Sequence, residues 1–211
     1  FGGVLTAELP HARLAAGELE VEGTIVVEVF DGTVRLEHLR ARDLGSGFAT
    51  FLLDASFDGI SLGALTDVVE IGKISGVVRG AVEDLEVQAG TPVRFRAWLE
   101  TVPRSGVAQR ISVDAIRRLS ILGGSGGDPL SSGLLSFFDE YRYAKIGFRG
   151  TLSGDRLTLE GVERHEGKEY LVVGALLPPR VDVVSHSRSV AFSEMVRRLG
   201  RALESEGPRI E

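Results

Sequence analysis

The chain has no cysteine, one methionine and one tryptophan in 211 residues. Without thiols there is neither a disulfide framework nor a thiolate metal site. That absence is compatible with the cytoplasm or with an envelope compartment. No stretch of uncharged residues runs longer than ten, whereas a membrane-spanning helix takes about 20 apolar residues. Positive charge is in deficit, with 24 Lys and Arg against 30 Asp and Glu and a net charge of −6. The basic residues are scattered, so nucleic acid is not an expected partner. Neither an initiator methionine nor a secretory signal stands before Phe1, so we expect a mature segment or a piece of a longer protein.

What the chain does have is glycine, 27 residues of it, set among runs that alternate apolar and polar residues. Alternation sorts side chains onto the two faces of a strand. The stretch Ile71 to Leu122 is where we expect the fold to be organised. There Ile74, Gly76, Val78, Gly80 and Val82 share one face, opposite Ser75, Arg79 and Glu83. After a turn at Gly90–Pro92, Val93, Phe95, Ala97 and Leu99 oppose Arg94, Arg96 and Glu100.

Residues 4–9 read as a short strand ended by Pro10. In Glu18 to Phe30, Leu19, Val21, Ile25, Val27 and Val29 oppose Glu18, Glu20, Glu22 and Glu28. Asp31-Gly32 signals a hairpin, and the shift of phase at Leu39 a bulge. Ala49, Phe51, Leu53, Ala55 and Phe57 make another apolar face, closed by Asp58-Gly59. Further strands are expected at Tyr143–Leu152, Arg156–Arg164, Glu169–Leu177 and Val181–Val184. Tyr170 to Leu177 is apolar on both faces and should be covered.

Helices are few. Ser61 to Val69 reads as a short one, and Ser112 caps a second at 113–122. Asp128 and Pro129 open a third at 129–140. The last, at 191–204, buries Phe192, Met195, Val196, Leu199 and Leu203 and exposes Arg197, Arg198, Arg201 and Glu204. The glycines at 123–127 read as a loop inside a single domain covering 1–211.

Catalytic signals are weak throughout. His11, His38, His165 and His186 are far apart and lack ligand spacing. Glu18, Glu20 and Glu22 project together, but the calcium loop with its central glycine is missing, so they read as a solvated face. Gly123 to Gly127 follows a helix with no Lys-Ser or Lys-Thr after it, and so is a linker rather than a phosphate cradle. Ser185-His186-Ser187 has no Gly-x-Ser-x-Gly elbow to go with it. We expect no enzyme, no metal and no cofactor.

Pattern alone favours an ordinary sandwich core for the apolar faces. Against that, the strand runs are long and the helices cluster in the second half. A long sheet with one continuous apolar face needs a cover: another sheet, the helices, or acyl chains. Whether the face is an open groove or a filled core stays open at this point.

Four segments carry a family likeness: GKISGVVRGAVEDLEVQAGTPVRFRAWLET, QRISVDAIRRLSILGG, FFDEYRYAKIGFRGTLSGDRLTLEGV and YLVVGALLPPRVDVV. In this order, over about residues 30 to 205, the chain resembles the C-terminal part of AsmA-like bacterial envelope proteins. The large YdbH-type members, whose end is labelled a dicarboxylate-transport region, are the most similar. The resemblance implies an α+β, β-rich fold. Its strongly curved, mainly antiparallel sheet would form an open groove or trough, capped or covered by three or four helices. It implies the C-terminal module of a periplasm-spanning protein, its parent anchored in the inner membrane, that moves phospholipid between inner and outer membranes. The alternative is a structural or docking module of an envelope protein, with a filled core and no lipid path. On the first reading Val27, Val29, Phe51, Leu53, Phe95 and Leu99 line the groove. The expected partners are phospholipid acyl chains, and an outer-membrane protein or a second copy at an exposed sheet edge.

Overall fold

The computed structural model describes residues 4–69, 72–122, 138–176, 180–185 and 189–197. Within them the chain runs β1 (Val4–Ala15), β2 (Glu18–Val29), β3 (Gly32–Arg42), β4 (Thr50–Ser61) and α1 (Leu62–Val69). Then come β5 (Ile74–Ser75), β6 (Val77–Gln88), β7 (Thr91–Val102), β8 (Arg110–Ser112) and α2 (Val113–Leu122). It continues through β9 (Glu140–Ser153), β10 (Arg156–Gly161), β11 (Glu163–His165), β12 (Lys168–Gly174), β13 (Val183–Ser185) and β14 (Ser189–Ala191), and enters helix α3 (192–197).

The strands form one 14-stranded antiparallel sheet with the main order β1-β2-β3-β4-β6-β7-β9-β10-β14. It is not closed, because β1 pairs with β2 alone and β14 covers only three residues of β10. The hub is β9. Its first residues pair with β8 and β12, and its later ones with β7 and β10. The expected centre at 71–122 thus supplies two neighbours of the hub, β7 and β8.

Several expected boundaries move. Pro10 does not end the first strand; the register of β1 slips between Glu8 and His11, so the missing N–H falls in a bulge of an edge strand. The β2–β3 turn consists of Phe30 and Asp31, both at positive φ, with Gly32 already paired to Val29. Gly32 is needed for a different reason: a Cβ there would lie 2.6 Å from the Asp58 carbonyl oxygen. Gly59 sits inside β4 at a second register shift rather than closing it. Pro92 lies within β7, after a two-residue turn at Ala89 and Gly90. The run 156–164 divides into β10 and β11.

Helix α2 matches its expected span. Ser112 Oγ accepts hydrogen bonds from Ala115 N–H (3.3 Å) and, across the chain, from Lys73 N–H (3.0 Å). The expected helix at 129–140 lies outside the described residues up to 137, and Glu140 and Tyr141 already belong to β9. Of the last helix, Phe192 and Met195 pack inward against Leu152, Leu157 and Leu159 as expected, but Val196 is exposed. Leu199 and Leu203 lie outside the described residues.

The main core forms where α1 and α2 meet β5, β8, β12, β13 and the first half of β9. Ile74, Val78, Ile111, Ile116, Tyr141 and Val172 are fully enclosed there. As expected, β12 is among the covered strands, with Leu171 and Val172 both buried.

One irregularity crosses the sheet at mid-strand. Register slips between Glu8 and His11 in β1, Glu20 and Ile25 in β2, Glu37 and Arg40 in β3, Leu53 and Ala55 in β4, and Glu83 and Glu86 in β6. Three of these bulges carry a residue at positive φ: Gly23, His38 and Asp84. A bulge bends its own strand and increases its twist; here the bulges form a line across five neighbouring strands.

Candidate functional site

Residues opposite each other in an antiparallel pair share a face, so the registers show how far the apolar side extends. One row is Val27, Val34, Phe57, Gly80, Leu99, Phe148, through β2, β3, β4, β6, β7 and β9. The next is Ile25, Leu36, Ala55, Val82, Ala97, Gly150, Leu159. A third joins Phe95, Leu152, Leu157 and Val190. Beyond the line of bulges Leu19, Ala41, Phe51 and Val87 continue the face, with Leu53 opposite Leu85. At about 4.8 Å between strands, the first row alone is about 24 Å long.

The opposite face is ionic. Glu100 takes Arg79 at 2.7 Å and Lys145 at 3.3 Å; Glu86 takes Arg94 at 2.7 Å, and Asp84 takes Arg96 at 2.8 Å. The Arg79 hydrogen bond outweighs burial and, with Lys145, holds the Glu100 carboxyl below the usual range. The glutamates expected as a solvated face are exposed, with Glu20 beside Arg40 at 3.0 Å and Glu22 beside His11 at 3.7 Å.

All six expected groove residues stand on the apolar face, but in three surroundings. Val29 and Leu99 lean on the α1/α2 core, and Val27 continues their rows towards the β1 edge. Phe95 lies under α3, edge-on to Phe192 with ring centres 6.2 Å apart. Leu53 and Phe51 lie past the bulges; Phe51 is 37% exposed, and Leu14 on the same side is 68% exposed.

At the β7–β9–β10 end, α3 and Leu119 of α2 flank a partly open apolar cavity of about 240 Å³ on the face. Its walls are Phe95, Ile146, Phe148, Leu157 and Leu159 from the sheet, Leu171 from β12, Leu119 from α2, and Phe192 and Met195 from α3, with Gly147 and Gly150 in the floor. Among the described residues no polar side chain lines it. Of these only Phe95 was singled out as a site residue from the sequence. The alternation Phe148, Gly150, Leu152 and Leu157, Leu159 was a usable signal for the rest of the floor.

Among the described residues no three His, Asp or Glu side chains gather as a metal site. His165 lies on the surface beside Glu166, and His186 and Ser187 lie outside the described residues. The Gly123 to Gly127 segment lies outside them too. No described helix is long and apolar enough to cross a membrane. What the arrangement offers chemically is a broad apolar surface. No protein-family model, curated protein or solved structure matches the chain.

Proposed function

We propose that this chain carries phospholipid acyl chains along the apolar face of its sheet. It would do so as the C-terminal module of a periplasm-spanning protein, anchored in the inner membrane, that moves phospholipid between the two membranes. One observation carries the reading: an apolar face continuous over six paired strands whose large side chains are only partly buried. The line of bulges supports a curved trough, since a bulge bends the strand that carries it and increases its twist. Gly80 and Gly147 add to that support, because a Cβ on either would collide with backbone of β7. Water exclusion gains about 0.8 kcal/mol per buried methylene without any placed polar group. Such a site therefore leaves no catalytic signature. Among the described residues one side of β1 is unpaired, and there an outer-membrane partner or a second copy would add a strand.

A docking module with a filled core is the competing reading, and the enclosed cluster on α1 and α2 favours it for the end of the sheet they cover. The two are separated by a photocrosslinking residue at Leu53, on the far side of the bulges from that cluster. Capture of phospholipid in cells supports carriage. Capture of protein alone, with no lipid extracted from the purified chain, overturns it.

A further inference from the structure

We propose that the cavity under α3 is a seat for the tail of one acyl chain, and that Gly150 keeps it open. Naming the guest an acyl chain rests on the lipid reading above; the emptiness of the site does not. Other glycines inside strands have a backbone reason to be glycine. Gly23 and Gly59 are at positive φ. A Cβ on Gly32, Gly80, Gly147, Gly161 or Gly174 would run into backbone. Gly150 has neither need. A Cβ there would meet Leu159 Cδ2 at 3.5 Å, Leu157 Cδ1 at 3.7 Å and Phe148 Cε2 at 3.8 Å, which is ordinary contact. Glycine weakens a strand interior and packs nothing, so what it supplies at this position is space. That space faces an apolar cavity of about 240 Å³. An engineered cavity of ~150 Å³ lined by Leu, Ile and Phe stays dry and takes benzene. The floor of the seat belongs to the same rows as the open face, through Phe95, Phe148 and Leu159. A chain sliding along the face would therefore meet hydrocarbon wall without a polar step. An unbranched tail suits a site with no donor or acceptor to orient a polar group.

The test uses the full chain and cis-parinaric acid, a polyene fatty acid that fluoresces when removed from water. Wild type should bind it saturably. Gly150→Leu, which fills the seat, should weaken binding at least tenfold, and Gly150→Ala, which fits in ordinary contact, a few-fold. Thermal unfolding is followed for both, and if the leucine variant does not fold, the alanine variant decides. Equal affinity in wild type and the filled variants overturns the seat, as does the absence of saturable binding to wild type. If Phe51→Asp abolishes binding while Gly150→Leu retains it, the guest lies on the open face: the seat is overturned and carriage stands. If Gly150→Leu abolishes it but no lipid crosslinks at Leu53, the seat stands and carriage falls.

Discussion

Asp155 and Ser193 are 38 residues apart, yet the Asp155 carboxylate accepts hydrogen bonds from both the Ser193 N–H (2.7 Å) and its hydroxyl (2.9 Å). The Asp155 carbonyl oxygen also accepts the Phe192 N–H at 2.7 Å. The tight turn between β9 and β10 therefore caps α3. The hairpin that carries Leu152 and Leu157 fixes the helix that sets Phe192 and Met195 over them.

Asp155→Ala should release this cap. The Ser193 amide, which loses its acceptor, should exchange with solvent faster than in wild type. The Phe192 amide, bonded to backbone, should change less. The Ser193 N–H and hydroxyl together hold the Asp155 carboxyl below the usual range. A lowered carboxyl stabilises the folded chain fully above the unfolded value of about 3.9, and the benefit is lost as pH falls through the folded value. Hydrogen exchange of wild type and variant should therefore differ above about pH 4 and converge in stronger acid. A difference that persists unchanged into strong acid would show that the carboxylate is not the cap.

Gly76 joins β5 to β6 at φ +147°, and a Cβ there would collide with the Tyr143 hydroxyl, which donates to the Ser75 carbonyl oxygen at 2.6 Å. Gly76→Ala should cost about 1–3 kcal/mol for the backbone alone, and Tyr143→Phe about 1 kcal/mol for the lost hydrogen bond. Removing the hydroxyl relieves the collision, so in denaturant melts the double variant should lose less than the sum. Strict additivity would mean the two residues do not meet. Burial pushes the Tyr143 phenol up. Its neutral form favours the folded chain fully below about pH 10, and that contribution is lost as pH rises beyond.

The strands were legible where one face met water. Alternation in Glu18 to Phe30 and in Val93 to Leu99 located β2 and β7 and sorted their faces, because burial on one side leaves a period of two. Boundaries failed where glycine or proline has two meanings. Gly59 and Pro10 read as terminators but occupy bulges, which depend on the partner strand and not on the local sequence. The Asp31-Gly32 signal lay one residue late because Phe30 takes the left-handed conformation that glycine usually takes. The hub β9 could not be seen, since three of its four pairings, with β7, β8 and β12, join segments far apart in the chain. The cavity was hidden for a similar reason. Gly150 looks like any other strand glycine until the residues around it are in place.

The line of bulges has its own lock on the polar side. Asp54 Oδ1 accepts the Asp84 N–H at 2.7 Å, and its Oδ2 lies 2.8 Å from His38 Nδ1. Burial raises the Asp54 carboxyl, but those hydrogen bonds and the nearby His38 and Arg96 outweigh it and leave it lowered. Asp54→Ala should destabilise the chain at pH 7 by about 1 kcal/mol, a partly exposed site tempering the hydrogen-bond value. Asp54→Asn, which still offers an oxygen to the Asp84 amide, should cost less. The lowered carboxyl contributes above about pH 3.9 and not below its folded value, so the gap between wild type and alanine should shrink near pH 3. Urea unfolding at the two pH values checks this, and a gap as large in acid as at neutrality would refute it.

The expected groove residues differ in what else they hold up, and that difference makes carriage separable from stability. Leu99 packs against the enclosed core, so Leu99→Asp places a carboxylate against that cluster and should cost several kcal/mol, as an unpaired buried charge does. Its effect on lipid would be uninterpretable, because the chain would be partly unfolded. Phe51 stands past the bulges and is 37% exposed. There a carboxylate keeps much of its water, and Phe51→Asp should change stability by only about 1 kcal/mol. The same substitution puts a charge in the path of a passing chain, and lipid crosslinking from Leu53 should fall sharply. Thermal melting and crosslink yield are read on the same preparations. A stable Phe51→Asp protein that still captures lipid at Leu53 at the wild-type level would show that acyl chains do not travel along this part of the face.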